Sequence, residues 1–210
     1  MNEQVYVLKD VIRNPARAFK EISDRGRAFL PGAIIIVTVP AIASALLMAD
    51  VSFPQNLAGL VRDVTGWIIF VGCLYVVGRL LRGGADFMGL LSAIGYAKLP
   101  GIFYPIVGAA LVRLVPEEVV AQLGEGCAGG VCPEPISPEQ QMLLLKQIFT
   151  PAVIGLFLAI LALGIWIFAL YVLASRESHK SNTWRAFISV VVGGLTSTII
   201  TGLLLTLVGL

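Results

Sequence analysis

The stretch FMGLLSAIGYAKLP, residues 87–100, joins two apolar runs and is apolar enough to contact a membrane itself. Phe87, Leu90 and Ile94 recur at helical spacing, so the stretch predicts an amphipathic helix that lies on the membrane surface. Lys98 would anchor the edge of the apolar run that begins at the next residue. We expect the protein to contact a partner at this stretch, residues 87–100.

Three further residues of the stretch are expected to shape the turn into the membrane. Gly95 permits the change of direction because it has no side chain. Tyr96 can place its hydroxyl among the lipid headgroups, where tyrosine is enriched. Pro100 is expected to start the next helix, because a missing N–H is tolerated in the first turn.

The composition decides the class of protein. Of the 210 residues, 57% are apolar and only 13% are charged, and the mean hydropathy is +0.89. Soluble domains have about 25% charged residues. So few charges could not cover the surface of a soluble fold of this size, so lipid must solvate part of it. We therefore expect an all-α, polytopic membrane protein.

Five apolar runs each have a length close to the roughly 20 residues that a helix needs to cross a bilayer. The third run is short and carries Pro100 and Pro105, so a re-entrant segment is the alternative to a third crossing. Pro40 lies inside the first run and predicts a kink there. The runs cover residues 29–49, 64–81, 99–115, 149–174 and 184–210.

The basic residues predict the orientation. With five crossings, the N-terminal tail and the connections 82–98 and 175–184 share one side, and twelve of the fifteen Lys and Arg residues are on it or at its edge. The positive-inside rule then makes the N-terminus cytoplasmic and the C-terminus external. We expect a multi-pass protein of the cell membrane with an outer loop at 116–148, which would form a small helical hairpin, and a kink at Pro151.

The tail, residues 1–28, is expected to form a cytoplasmic unit separate from the five-helix domain of residues 29–210. Apolar residues recur at helical spacing, and Asn14 followed by Pro15 indicates an N-cap and the start of a second helix. Its basic residues outnumber the acidic ones, so an interfacial helix pair on an anionic membrane is predicted. A solvated tail is the alternative. Candidate contacts with headgroups or a partner are Arg13, Arg17, Lys20, Lys98 and Arg113.

The residues predict no catalytic site, no metal site and no cofactor. Aspartate, glutamate and histidine are missing from the interior of the predicted spans, where such residues mark proton relays and ion pathways. His179, beside Lys180, is interpreted as a solvated loop histidine. We therefore expect a protein that is not an enzyme and has no nucleic-acid partner.

The cysteines divide into two kinds. Cys127 and Cys132 share a glycine-rich turn of the outer loop, and a structural disulfide is the favoured interpretation, because the outer side is oxidising. Free thiols and half of a metal site are the alternatives. Cys73 lies alone in an apolar run and is interpreted as a small buried hydrophobe.

Small residues are frequent in the last two spans. Gly193 and Gly202 lie in the fifth, and Gly155 in the fourth. Such residues let helices approach closely in lipid. They indicate packing within one bundle, with self-association as the alternative.

Two short motifs, in this order and topology, resemble the Yip-domain family of Ypt/Rab-interacting integral membrane proteins. The first is Asn14, Pro15 and Phe19; the second is Gly95, Tyr96 and Pro100. The likeness extends over about residues 10–205. The composition and the short tail resemble those of prokaryotic members of the family, a group that includes archaeal proteins. The Asp-Leu-Tyr-Gly-Pro-like motif of eukaryotic members is absent, which makes binding of a Rab-type GTPase doubtful.

The expected function is non-enzymatic. The tail and the glycine-rich spans favour a protein that organises the bilayer or membrane-protein partners, as a scaffold or by shaping the membrane. One alternative is a small permease or lipid-handling protein, with a cavity at the kinked third span near Arg113. Another is an accessory subunit of a larger complex.

Overall fold

The fold is a bundle of α-helices in a computed structural model, which describes residues 2–47, 53–114 and 150–208. These residues contain no β-strand. The α-helices are α1 Asn2–Arg13, α2 Pro15–Asp24, α3 Gly26–Leu47, α4 Phe53–Leu80, α5 Phe87–Ala97, α6 Tyr104–Leu114, α7 Pro151–His179 and α8 Thr183–Val208, and a 3-10 segment, Leu99–Phe103, joins α5 to α6.

Five segments are long and apolar enough to cross a membrane, as the sequence predicted. The third begins at Phe87 and not at Leu99, because α5, the 3-10 segment and α6 form one apolar path. The orientation of the termini stays a prediction. The segments are Gly26–Ser44, Gly59–Leu80, Phe87–Leu111, Pro151–His179 and Thr183–Leu204.

α5 is a helix, as predicted, but its placement on the membrane surface is wrong. Every residue from Gly89 to Ala97 is buried, and α2, α3, α4 and α7 surround the helix. The reason is its small residues, which lie on several sides and let neighbouring helices approach from all directions. A helix that is apolar on every side belongs in a core rather than at an interface.

α3 and α5 run side by side in the same direction at very close range. A Cβ on Gly26 would collide with the backbone of Gly89, and a Cβ on Gly95 would collide with Ala33. The Ser92 hydroxyl donates a hydrogen bond of 2.7 Å to the carbonyl of Gly26. The backbones of α3 and α5 therefore lie in direct contact at these positions, with no large side chain between them.

α4 runs antiparallel to α5 on another side. The rings of Tyr75 and Phe87 pack edge to face, with centroids 5.6 Å apart, and a Cβ on Gly95 would lie 3.1 Å from the Cζ2 atom of Trp67. α8 packs on α4 through Gly193, where a Cβ would lie 3.3 Å from the Leu74 backbone. Gly193 thus serves packing within the bundle.

Two of the helices begin at a proline. Pro15 begins α2 as predicted, although the Asn14 side chain makes no capping hydrogen bond. Pro151 was expected to kink a helix, but α7 begins there, with the Thr150 hydroxyl accepting from the Val153 N–H at 3.3 Å. A proline in the first turn costs no hydrogen bond. The predicted outer loop lies outside the described residues.

We expect Gly89→Ala to lower the melting temperature strongly. The new Cβ would overlap the carbonyl oxygen of Ser23, and backbone atoms cannot move aside as a flexible side chain can. Thermal unfolding of the purified protein in detergent measures the change.

Gly72→Ala is the matched control, because a Cβ there meets no atom within 4 Å and alanine is the better helix former. It should leave the melting temperature unchanged or raise it. Equal melting temperatures for the two variants would contradict the close contact of α2 with α5.

Candidate functional site

The first candidate is the surface of the hairpin formed by α1 and α2. Its apolar side is buried in the protein: Phe19 and Ile22 are each 0% exposed, and α2 packs against α5 and α7. The opposite side carries the candidate cations Arg13, Arg17 and Lys20, which are all exposed as expected. Whether residues 1–28 form a separate unit stays a prediction.

Acidic and basic side chains share the charged side of this hairpin. Arg25 reaches Glu21 at 3.9 Å and lies over the Phe29 ring, 5.7 Å from its centroid. In the described part of the chain, Arg13, Arg17 and Lys20 form no ion pair. Three exposed guanidinium and ammonium groups are therefore available to anionic headgroups.

The second candidate is an apolar groove beside the hairpin, which we call the α1 groove. It has a volume of about 140 Å³ and is lined entirely by apolar residues of α1, the 3-10 segment and α7. No ionisable group lines it, so it has no means of acid–base chemistry. Its lining includes Val11, Ile12, Pro100, Phe103, Trp166 and Leu170.

Tyr96 is part of the core. It is 0% exposed, so the prediction that its hydroxyl reaches the headgroups is wrong. Gly32 leaves the space that the Tyr96 hydroxyl occupies, and the Phe29 ring packs edge-on at 6.1 Å between centroids. The hydroxyl has no hydrogen-bond partner in the described residues.

The other motif residues also belong to the fold. Pro100 is buried and opens the 3-10 segment, and Phe19 is buried where α2 meets the bundle. Asn14 is exposed and Pro15 is half-buried. The buried members of the two motifs therefore belong to the core in different places: Phe19 where α2 joins the bundle, and Gly95 and Tyr96 where α5 packs on α3.

The last two predicted contact residues lie apart from the hairpin. Lys98 is half-buried and well inside the third apolar segment, not at its edge as predicted. The Asp63 carboxylate on α4 is the opposite charge that acts on it. Arg113 is exposed near the end of α6 and is not part of the α1 groove.

His179 is buried and not solvated, which corrects the sequence prediction. It ends α7 at 3% exposure, and its ring fills the space left by the missing side chains of Gly78 and Gly83. Neither ring nitrogen has a hydrogen-bond partner that meets the geometric criteria in the described part of the chain. The glycines at 78 and 83 are the sequence signal for this socket, but their distance from residue 179 along the chain hides it.

Metal-ligating side chains are scattered in the described part of the chain. Within the described residues, no group of three or more His, Cys, Asp or Glu side chains could hold a metal ion. Cys127 and Cys132 lie outside those residues, so their disulfide stays a prediction. Cys73 is a half-buried free thiol in α4.

We expect Tyr96→Phe to be neutral or stabilising and Tyr96→Ala to lose about 3–5 kcal/mol of unfolding free energy. The phenylalanine variant removes only a buried hydroxyl without a partner, whereas the alanine variant leaves a cavity. Equilibrium unfolding in mixed micelles distinguishes the two. A large loss for Tyr96→Phe would show that the hydroxyl does bind a partner.

We also expect Gly78→Ala to destabilise the protein, because the new Cβ would overlap the His179 ring. In a His179→Ala background the same change should cost little, so the two effects would not add. Melting temperatures of the two single variants and the double variant measure this coupling. Simple additivity would contradict the socket.

The comparisons with known proteins agree with the motifs. The family model described as the Yip1 domain matches residues 9–207, nearly the whole chain. No curated protein and no solved structure matches the chain. The family resemblance predicted from Asn14, Pro15, Phe19 and the second motif is therefore confirmed.

Proposed function

The chain belongs to the Yip1 domain family, and we propose that it acts without catalysis, by organising the bilayer or membrane-protein partners. The surface that does so is the α1–α2 hairpin. In this proposal the N-terminus is cytoplasmic, the protein resides in the cell membrane, and the hairpin faces the anionic inner leaflet.

The observation that carries the proposal is the firm attachment to an apolar bundle of a hairpin that exposes three cations, Arg13, Arg17 and Lys20. Phe19 and Ile22 fix α2 through fully buried side chains, and truncation of a buried phenylalanine typically costs about 3–5 kcal/mol. A force that headgroups exert on the hairpin is therefore passed to the spanning helices. A loosely tethered tail would not transmit it.

The apolar edge of the hairpin supports contact with lipid. Val5, Tyr6 and Ile12 are 62%, 69% and 59% exposed and lie on the same helix as the exposed Arg13. Amphipathic helices with cations and large apolar residues insert at the boundary of headgroups and acyl chains. Partners at this surface are the bilayer itself and other membrane proteins.

Lipid handling is a second candidate function, and the α1 groove favours it. The groove lies at Pro100 in the third apolar segment, but Arg113, near which a cavity was expected, does not line it. Its lining is apolar, which suits an acyl chain and disfavours a polar solute. Self-association remains a further proposal, since a Cβ added to Gly155 or Gly202 would meet no atom within 4 Å.

The proposal is tested by reconstitution into vesicles that contain phosphatidylglycerol. We expect the wild-type protein to change the vesicle diameter or form tubules, and Arg13→Gln/Arg17→Gln to weaken this effect. Each basic residue near an anionic surface contributes about 1 kcal/mol. Electron cryomicroscopy of the vesicles measures their shape.

Lys180→Gln/Arg185→Gln is the matched control, because it removes the same charge from exposed positions outside the hairpin. It should keep most of the wild-type effect, because Lys180 and Arg185 attract the same anionic surface but do not lie on the hairpin to which the proposal assigns the reshaping. These substitutions leave Phe19 and Ile22 in place, so a loss of effect cannot be ascribed to unfolding as it could after deletion of residues 1–28. Equal activity of both double variants would overturn the proposal.

A further inference from the structure

We infer that the α1 groove binds a segment of one acyl chain of an anionic glycerophospholipid whose phosphate is held by Arg13. This inference deepens the proposed function and rests on it for the anionic membrane surface. It names a specific lipid site where the proposal required only a charged surface.

The groove has the form of a slot that opens to the side. Val11 and Leu170 form its floor, with exposures of 1% and 3%, whereas Ile12, Phe103 and Trp166 form its rim, with exposures of 59%, 52% and 39%. A chain can therefore enter from the lipid and lie against a closed floor.

The chemistry of the lining selects an alkyl chain. Water needs two to four polar partners to occupy a cavity, and no polar residue lines this one. Left empty, the apolar walls would lose dispersion contacts. A flexible hydrocarbon chain restores those contacts and loses no hydrogen bond.

The 3-10 segment creates the slot. Pro100 cannot continue a regular helix from α5 because it lacks an N–H, and the chain passes through Leu99–Phe103 before α6 begins. Gly101 has no side chain, and a Cβ there would lie 3.8 Å from the Ile167 δ-methyl. The segment thus runs close to α7 and leaves a gap towards α1.

The charge beside the slot favours the phosphate of a lipid with net negative charge, because the choline ammonium of phosphatidylcholine neutralises its own phosphate. Arg13 directly follows Ile12 of the rim, is exposed, and forms no ion pair in the described residues. α2 starts two residues later, and the Asn14 side chain does not cap it. The uncapped helix start adds a partial positive charge. Lys98 is not assigned to the phosphate, because it does not line the groove and is half-buried inside the third apolar segment.

Quenching of Trp166 fluorescence by brominated lipids tests the site directly. Every protein carries Trp184→Phe, because Trp184 is 67% exposed, whereas Trp67 is 3% exposed and serves as a constant background. The protein in detergent micelles is titrated with phosphatidylglycerol or phosphatidylcholine that carries bromine on one acyl chain. We expect phosphatidylglycerol to quench at a mole fraction at least fivefold lower.

Variants separate the headgroup from the chain. Arg13→Gln should weaken the phosphatidylglycerol effect about fivefold, the factor for about 1 kcal/mol per basic residue, and Arg185→Gln should leave it unchanged. Ile12→Phe, which fills the rim, should reduce quenching by both lipids. Val5→Phe, on the exposed part of α1 outside the groove, should not.

Equal quenching by the two lipids would show ordinary solvation of Trp166 and overturn the site. So would an unchanged titration with Arg13→Gln. Because the measurement is made in micelles, it does not depend on vesicle shape. Selective quenching without any effect on vesicles would retain the lipid site and reject the proposed function. An effect on vesicles without selective quenching would retain the proposed function and reject the lipid site.

Discussion

The close approach of α3 and α5 is the constraint on which the remaining structure depends. Gly26 meets Gly89 and Gly95 meets Ala33 with no side chain between the backbones, and the Ser92 hydroxyl bonds the Gly26 carbonyl at 2.7 Å. In lipid, helices gain little by hiding apolar surface, so dispersion at such short distances and buried hydrogen bonds hold them together. α2 then packs over the same helix through the Ser23 carbonyl at Gly89.

This constraint explains how a hairpin with exposed cations comes to be fixed on an apolar bundle. Because α5 is enclosed, α2 can bury Phe19 and Ile22 at its side and must direct Arg17 and Lys20 outwards. The α1 groove arises at the end of the same helix, where Pro100 changes the path of the chain. The exposed cations of α2 and the α1 groove therefore both result from the way in which α5 is packed.

The buried polar groups have a different origin. His179 lies in a socket between Gly78 and Gly83, and the hydroxyls of Ser175 and Ser178 beside it are also buried without partners among the described residues. Buried groups of this kind cost about 1–3 kcal/mol each. The glycine socket gives tight packing around the ring, which offsets part of that cost through dispersion.

The sequence by itself determined the class of protein, the five apolar segments, the helix break at Pro15 and the family, because hydropathy, proline and short motifs act locally. It assigned surface positions to the stretch that begins at Phe87, to Tyr96 and to His179, whereas residues 89–97 and His179 are buried. Only the tertiary structure decided this, because burial depends on which helices meet. Glycines far apart in the chain, such as Gly32 beside Tyr96 or Gly78 beside His179, create the space, and no local pattern reveals the pairing.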